Sequence, residues 1–179
     1  MKYLVVSDIH GSELYMDKIF KVFNDTNCDK LIVLGDFLYH GPRNIIPEGY
    51  NPKELALKLN NFGKEIISVR GNCDAEVDQM VLDFNIMDDN KIIDINGYKA
   101  FLTHGHHINE DNMPETKIDM FLSGHTHIPV LKRENGIIFL NPGSITLPKQ
   151  DNPNTYAIIY ENKITIYDID NNVFNELEL

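Results

Sequence analysis

Tyr3-Leu4-Val5-Val6-Ser7-Asp8-Ile9-His10 opens the chain as a β-branched apolar run that breaks off at polar residues. Residues 12–24 behind it have the length of a helix, and residues 30–34 return to a strand-like composition. Residues 52–62 and 66–69 repeat the pair, so the spacing predicts βαβ units and a parallel sheet. In the first helix Leu14, Ile19, Val22 and Phe23 are expected to form the buried stripe, with Ser12 as N-cap and Glu13 at the positive end of the dipole.

From this opening the pattern changes toward shorter strands, at residues 91–95, 100–103, 120–122, 136–140, 156–160 and 163–167. Asn96-Gly97, Asn135-Gly136 and Glu161-Asn162 fall between such runs as tight turns. A second sheet packed on the first follows. Residues 41–50 and 109–115 read as surface loops. A chain of 179 residues with 42% hydrophobic content fills one core, and no repeat or linker divides it. One domain over residues 1–179 is expected.

The formal net charge of −11 argues against a polymeric nucleic-acid partner, since phosphate backbones are held by clustered Lys and Arg. An acidic protein binds phosphorylated small molecules when cations reverse the local field. No charged leader precedes Tyr3, no apolar run has the length of a membrane span, and Cys28 and Cys73 cannot build a disulfide framework. A cytoplasmic protein without a membrane partner is expected.

Five segments place Asp, Asn or His directly behind a predicted strand: Asp8-Ile9-His10, Gly35-Asp36, Gly71-Asn72-Cys73-Asp74, His104-Gly105-His106 and Gly124-His125-Thr126-His127. Ligands gather beyond the carboxyl ends of parallel strands, so segments distant in sequence can converge there. The D-x-H and H-x-H spacings let one turn aim two donors at a shared region. The glycines before Asp36, Asn72 and His125 suit backbone that turns sharply or passes close to another group. Singly, Asp8 and Asp36 read as caps, Asn72 as a turn residue and His104 as a hydrogen-bonded loop histidine. The ordered set argues for a site.

Carboxylate and imidazole donors suit Mn²⁺, Fe²⁺, Zn²⁺ or Ni²⁺, whereas an all-oxygen set favours Mg²⁺ or Ca²⁺. The seven residues Asp8, His10, Asp36, Asn72, His104, His125 and His127 exceed the needs of one tetrahedral centre and match two divalent ions sharing a carboxylate.

This ordered set resembles the calcineurin-like metallophosphoesterase superfamily. His40-Gly41-Pro42-Arg43-Asn44, Val69 to Asp74, Glu76-Val77-Asp78-Gln79-Met80 and Asn141-Pro142-Gly143-Ser144 look like the YfcE-type phosphodiesterases within it. The resemblance implies an α/β, four-layer αββα sandwich of two mixed sheets. It implies a first metal on Asp8, His10 and His127, a second on Asn72, His104 and His125, and Asp36 bridging. Mn²⁺ is the implied ion, with Fe²⁺, Zn²⁺, Ni²⁺ and Mg²⁺ left open. The implied reaction is hydrolysis of small phosphodiesters by hydroxide generated at the metal pair, with Asp36, Asn72, Cys73 and His104 at the chemistry.

Cys73 stands where many related phosphoesterases have histidine to assist the leaving group. A neutral thiol is a poorer acid near pH 7, so substrates with good leaving groups are expected; the alternative is a packed residue without a chemical role. His106 is read as touching substrate phosphate or an outer ligand shell, or as a solvated loop residue, and His40 as lining the cleft or as structural. Arg70, beside a ligand-bearing turn, is read as able to pair with Asp74 or another acid rather than grip substrate, and no role is assigned to it. Two further readings stay open: a phosphomonoesterase using the same metals, and a scaffold, since the fold occurs in a retromer subunit. A homo-oligomer is also left open.

Overall fold

The computed structural model describes residues 1–179. β1 (Tyr3–Val6), β2 (Lys30–Val33) and β3 (Ile66–Ser68) are parallel, joined by helices α1 (Glu13–Asp25) and α2 (Pro52–Asn61). Val5 is level with Ile32, and Ile32 with Ile67. α3 (Glu76–Gln79) is a single turn, followed by β4 (Asn90–Ile95), β5 (Tyr98–Thr103), β6 (Met120–Leu122), β7 (Pro129–Glu134), β8 (Ile137–Pro142), β9 (Thr155–Tyr160), β10 (Lys163–Asp168) and β11 (Val173–Glu178). The first sheet runs β11-β10-β9-β1-β2-β3 and the second β4-β5-β6-β8-β7, with β5, β6 and β8 parallel.

Side-chain alternation assigns each strand face to its layer. Leu4, Val6, Leu31 and Val33 pack against α1 and α2. Their neighbours Tyr3, Val5, Ile32 and Leu34 turn the other way and meet Ala100, Leu102, Met120, Leu122, Ile138 and Leu140 of the second sheet. The outer face of that sheet, Phe101, Phe121 and Phe139, is covered by Ile108, Met113 and Ile118 of the irregular segment 104–119. The fourth layer is therefore loop rather than helix.

Ser12 caps α1 as expected, accepting from the Tyr15 N–H at 3.4 Å. The stripe itself differs. Met16, Ile19, Phe20 and Phe23 form the i, i+3, i+4, i+7 row, with Val22 beside it, and Leu14 is 40% exposed. Two residues before Met16, Leu14 lies about 200° around the helix from it. The expected turns join β4 to β5, β7 to β8 and β9 to β10, with Asn96, Asn135 and Glu161 all at positive φ. β7 and β11 were not expected. No helix is long and apolar enough to cross a membrane.

Candidate metal centre

β1, β2, β3, β5 and β6 all deliver their C-terminal ends to one edge of the sandwich, and each hands over to one of the five polar segments. After β1, Ile9 is fully buried in the helix-side core while Asp8 (φ 56°) and His10 (φ 49°) adopt the left-handed conformation on either side of it. Burial of the middle residue thus turns both donors the same way. His125 (φ 66°) and His127 (φ 61°) adopt the same backbone conformation after β6, on either side of the exposed Thr126, and Asp36 (φ 59°) does so after β2. Left-handed backbone is costly for residues other than glycine and persists where surrounding bonds enforce it. Here the His10 N–H donates to the Asp36 carbonyl at 2.9 Å and the Asp8 N–H to the Gly35 carbonyl at 3.2 Å.

Two glycines act through close approach. A Cβ on Gly71 would collide with the Asp36 carboxylate and backbone N, and one on Gly124 with Ser7 and, at 2.9 Å, with Asp8 Oδ2. Neither has positive φ, so contact rather than turning explains them.

Each of three histidines has its Nδ1 committed to a carbonyl: His10 to Tyr39 at 2.9 Å, His104 to Leu34 at 2.7 Å and His127 to Leu147 at 2.5 Å. Donation from Nδ1 leaves Nε2 as a lone-pair donor. Those Nε2 atoms converge. His10 Nε2 lies 3.3 Å from His127 Nε2, and Asp8 Oδ1 lies 3.2 Å from His127 Nε2 and 3.7 Å from His10 Nε2. Asp8 Oδ2 accepts the His125 N–H at 3.0 Å, but Oδ1 is buried without a hydrogen bond. Lone pairs facing one another around an orphaned carboxylate oxygen need positive charge between them, so this donor set fits a divalent cation.

Asp36 sits between the halves of the site. Its Oδ1 accepts the Cys73 N–H at 2.8 Å, and Oδ2 lies 3.6 Å from His10 Nε2 and 3.5 Å from His104 Nε2. Asn72 Oδ1 is 3.0 Å from His104 Nε2. Donor atoms gather within 4.8 Å of one another as Asp8, His10 and His127, as Asp8, Asp36 and His104, and as His10, Asp36 and Cys73. His125 falls outside these tight groups, its ring 5.1 Å from that of His104, and lines the same cavity.

Electrostatics follow this geometry. Burial favours protonated Asp8, but the imidazoles of His127, His104 and His10 outweigh it and hold its carboxyl well below the usual carboxylate range. Burial pulls His127 down, yet its contact with Asp8 and the Leu147 carbonyl raises it overall. Burial lowers His10 and His125. Burial and then the charge of Asp36 push the Cys73 thiol up to about 12, so it stays neutral at pH 7.

His10, Asp36, Asn72, Cys73, His125 and His127 line a cavity of about 1000 Å³ that also takes in Arg43, Arg70 and Lys149, while Asp8 and His104 are fully buried outside its lining. His40 and His106 lie outside its lining. The His40 ring is wedged between Tyr39 and Tyr50, at 4.9 and 5.2 Å between centroids. His106 faces a neighbouring hollow with Arg70, Asp89 and His107, and burial followed by the nearby histidines lowers it to about 4. Arg70 donates to the Asp74 backbone carbonyl at 3.2 Å and lies 3.8 Å from Glu76.

Sequence reasoning gave no role to the residues that brace these turns. The buried Asp74 carboxylate accepts the N–H groups of Asp36, Phe37 and Gly71 at 2.7 to 2.8 Å. Ser144 Oγ donates to the Asp8 carbonyl, Thr146 Oγ1 to the Ile9 carbonyl and Asn141 Nδ2 to the Gly124 carbonyl. The sequence signal was polar residues packed directly behind β3 and β8.

Known proteins carry the same frame. The chain is 40% identical over 167 residues to Phosphodiesterase YfcE of Escherichia coli K12, covering 93% of this chain and 91% of that one. It is 30% identical to Phosphodiesterase MJ0936 of Methanocaldococcus jannaschii over 80% of this chain and 83% of the relative. The solved E. coli Yfce phosphoesterase superposes with a TM-score of 0.96 at 37% identity, covering 99% of both chains. Vacuolar Protein Sorting 29 from Cryptosporidium parvum matches at a TM-score of 0.70 with 19% identity, covering 99% of this chain and 98% of that one, a likeness of fold alone. The profile of the calcineurin-like phosphoesterase superfamily domain matches residues 1–163, and with two sheets meeting at this histidine-rich edge the chain belongs to that superfamily.

Proposed function

We propose that the chain is a metal-dependent phosphodiesterase acting on small phosphodiesters. The observation that carries this is the convergence of His10 Nε2, His127 Nε2 and the unbonded Asp8 Oδ1, each turned inward by backbone that fixes its other polar atom. Asp8, His10 and His127 would hold one divalent ion and Asn72, His104 and His125 a second, with Asp36 between them. When bound, such a pair supplies Lewis acidity that makes hydroxide accessible near neutral pH and neutralises phosphoryl charge. Mn²⁺ is our choice of ion, supported by the mixed nitrogen and oxygen donors.

The chain's own residues do the rest. Arg43, Arg70 and Lys149 line the cavity of a protein whose net charge is −11, and they draw an anionic substrate inward. Asp36 stays fixed through the Cys73 N–H and the Asp74 clamp. The Cys73 thiol, pushed up to about 12, is a weaker general acid near pH 7 than an imidazolium, so leaving groups that depart unprotonated are favoured. We read the whole chain as one domain in the cytoplasm, the latter supported by sparse cysteine usage, with a small phosphoester rather than a nucleic-acid polymer as partner.

Rates with bis-p-nitrophenyl phosphate and p-nitrophenyl phosphate, before and after chelation, test the reading. Faster, chelator-sensitive turnover of the diester is expected. Turnover of the monoester alone would replace the diesterase by a monoesterase, and chelator-insensitive turnover would remove the metal.

A further inference from the structure

Beside the histidine-lined cavity lies a second hollow of about 270 Å³, walled by Leu38, Tyr39, Tyr50, Pro52, Ala75 and Val77. Its lining also includes Cys73 and Asp78, and the Asp78 carboxylate is occupied by the Ala75 N–H at 2.8 Å. Tyr39, Cys73 and Ala75 line both hollows, so the two adjoin along these residues. The aromatic wall is held in place: the His40 ring meets Tyr39 at 65° and Tyr50 at 88°. Val77 is 65% exposed although it points at this recess.

An apolar recess adjoining the histidine-lined cavity has a natural occupant. A phosphodiester held at the histidines carries two organic arms, and one of them can pass Cys73 into a space with aromatic walls and almost no free polar atoms. Resting on the phosphodiesterase reading, we infer that this recess is a specificity subsite for an apolar, aromatic ester arm.

Phenylphosphonate and methylphosphonate share an anionic head and differ only in the arm, so their Kd values on the metal-loaded enzyme isolate the recess. The phenyl ligand should bind about tenfold more tightly, in line with burial of one ring face. It alone should shift the methyl resonances of Val77 and Ala75. In Val77→Asp the affinity ratio should fall toward one. Equal affinities in the wild type, Val77 methyls unmoved by phenylphosphonate in the wild type, or an affinity ratio that survives Val77→Asp would overturn the subsite while leaving the phosphodiesterase intact. Failure of both phosphonates to bind, with no hydrolysis of bis-p-nitrophenyl phosphate, would overturn the function and the subsite together.

Discussion

Asp74 ties the turn after β3 to Asp36: its Oδ2 accepts the Asp36 N–H at 2.8 Å and the Gly71 N–H at 2.7 Å, so one buried carboxylate sets the spacing of two strand ends. Replacing it with alanine strands three buried N–H groups, including that of Phe37. We expect Asp74→Ala to cost on the order of 3 kcal/mol or more in denaturant unfolding and to lower metal affinity.

The same carboxyl gives a pH signature in the metal-free protein. Burial first, and then the charge of Asp36, raise Asp74 to about 6 against the pull of its three N–H donors. The folded state therefore holds this proton more tightly than the unfolded chain. Its contribution is complete below the unfolded pKa near 4 and is lost as pH rises through 6. Relative to Asp74→Asn, the metal-free wild type should lose on the order of 3 kcal/mol between pH 4 and pH 7. Parallel stability curves would refute the assignment.

Metal removal should be felt in stability as well as rate. Chelation leaves Asp8 Oδ1 and the facing imidazole nitrogens of His10 and His127 without a cation, so Tm should fall and recover when Mn²⁺ is restored. Asp8→Asn should reduce bound metal, measured by elemental analysis, and lower kcat/KM on the order of 1000-fold.

Cys73→His places an imidazole where the thiol is only a weak acid. Rates on alkyl diesters should rise about 100-fold, with little change on nitrophenyl diesters, and the dependence of rate on leaving-group pKa should flatten. An unchanged dependence would show that another group or water supplies the proton.

Gly71→Ala drives a methyl group into the Asp36 carboxylate. The variant should lose metal binding out of proportion to any fall in Tm, because the displaced group belongs to the site rather than to the apolar core. Retention of stoichiometric metal would contradict the contact.

The parts of this architecture readable from sequence are those with a strong local signal. Apolar runs such as Tyr3–Val6 and Met120–Leu122, and turns such as Asn135-Gly136, declare themselves through composition and positive φ. β7 and β11 escaped notice for one physical reason: both are edge strands, and Lys132-Arg133-Glu134 and Asn175-Glu176 carry the charged and polar residues that edges favour. The five polar turns were legible because each follows a strand of the parallel set. The bracing roles of Asp74 and Ser144 were not legible, since their partners are backbone groups, which leave no trace in residue identity. His40 was open from sequence between lining the cleft and a structural role, and the rings of Tyr39 and Tyr50 pack against it.

Each polar turn at the site hangs from its own strand end, but the turns are bonded to one another, the His10 N–H to the Asp36 carbonyl, the Asp8 N–H to the Gly35 carbonyl and the His125 N–H to Asp8 Oδ2. Chemical retuning is consequently confined to side chains outside that lattice. Position 73 is one: its hold on Asp36 runs through the backbone N–H, which every residue but proline supplies, so the side chain can be exchanged while the lattice stays whole.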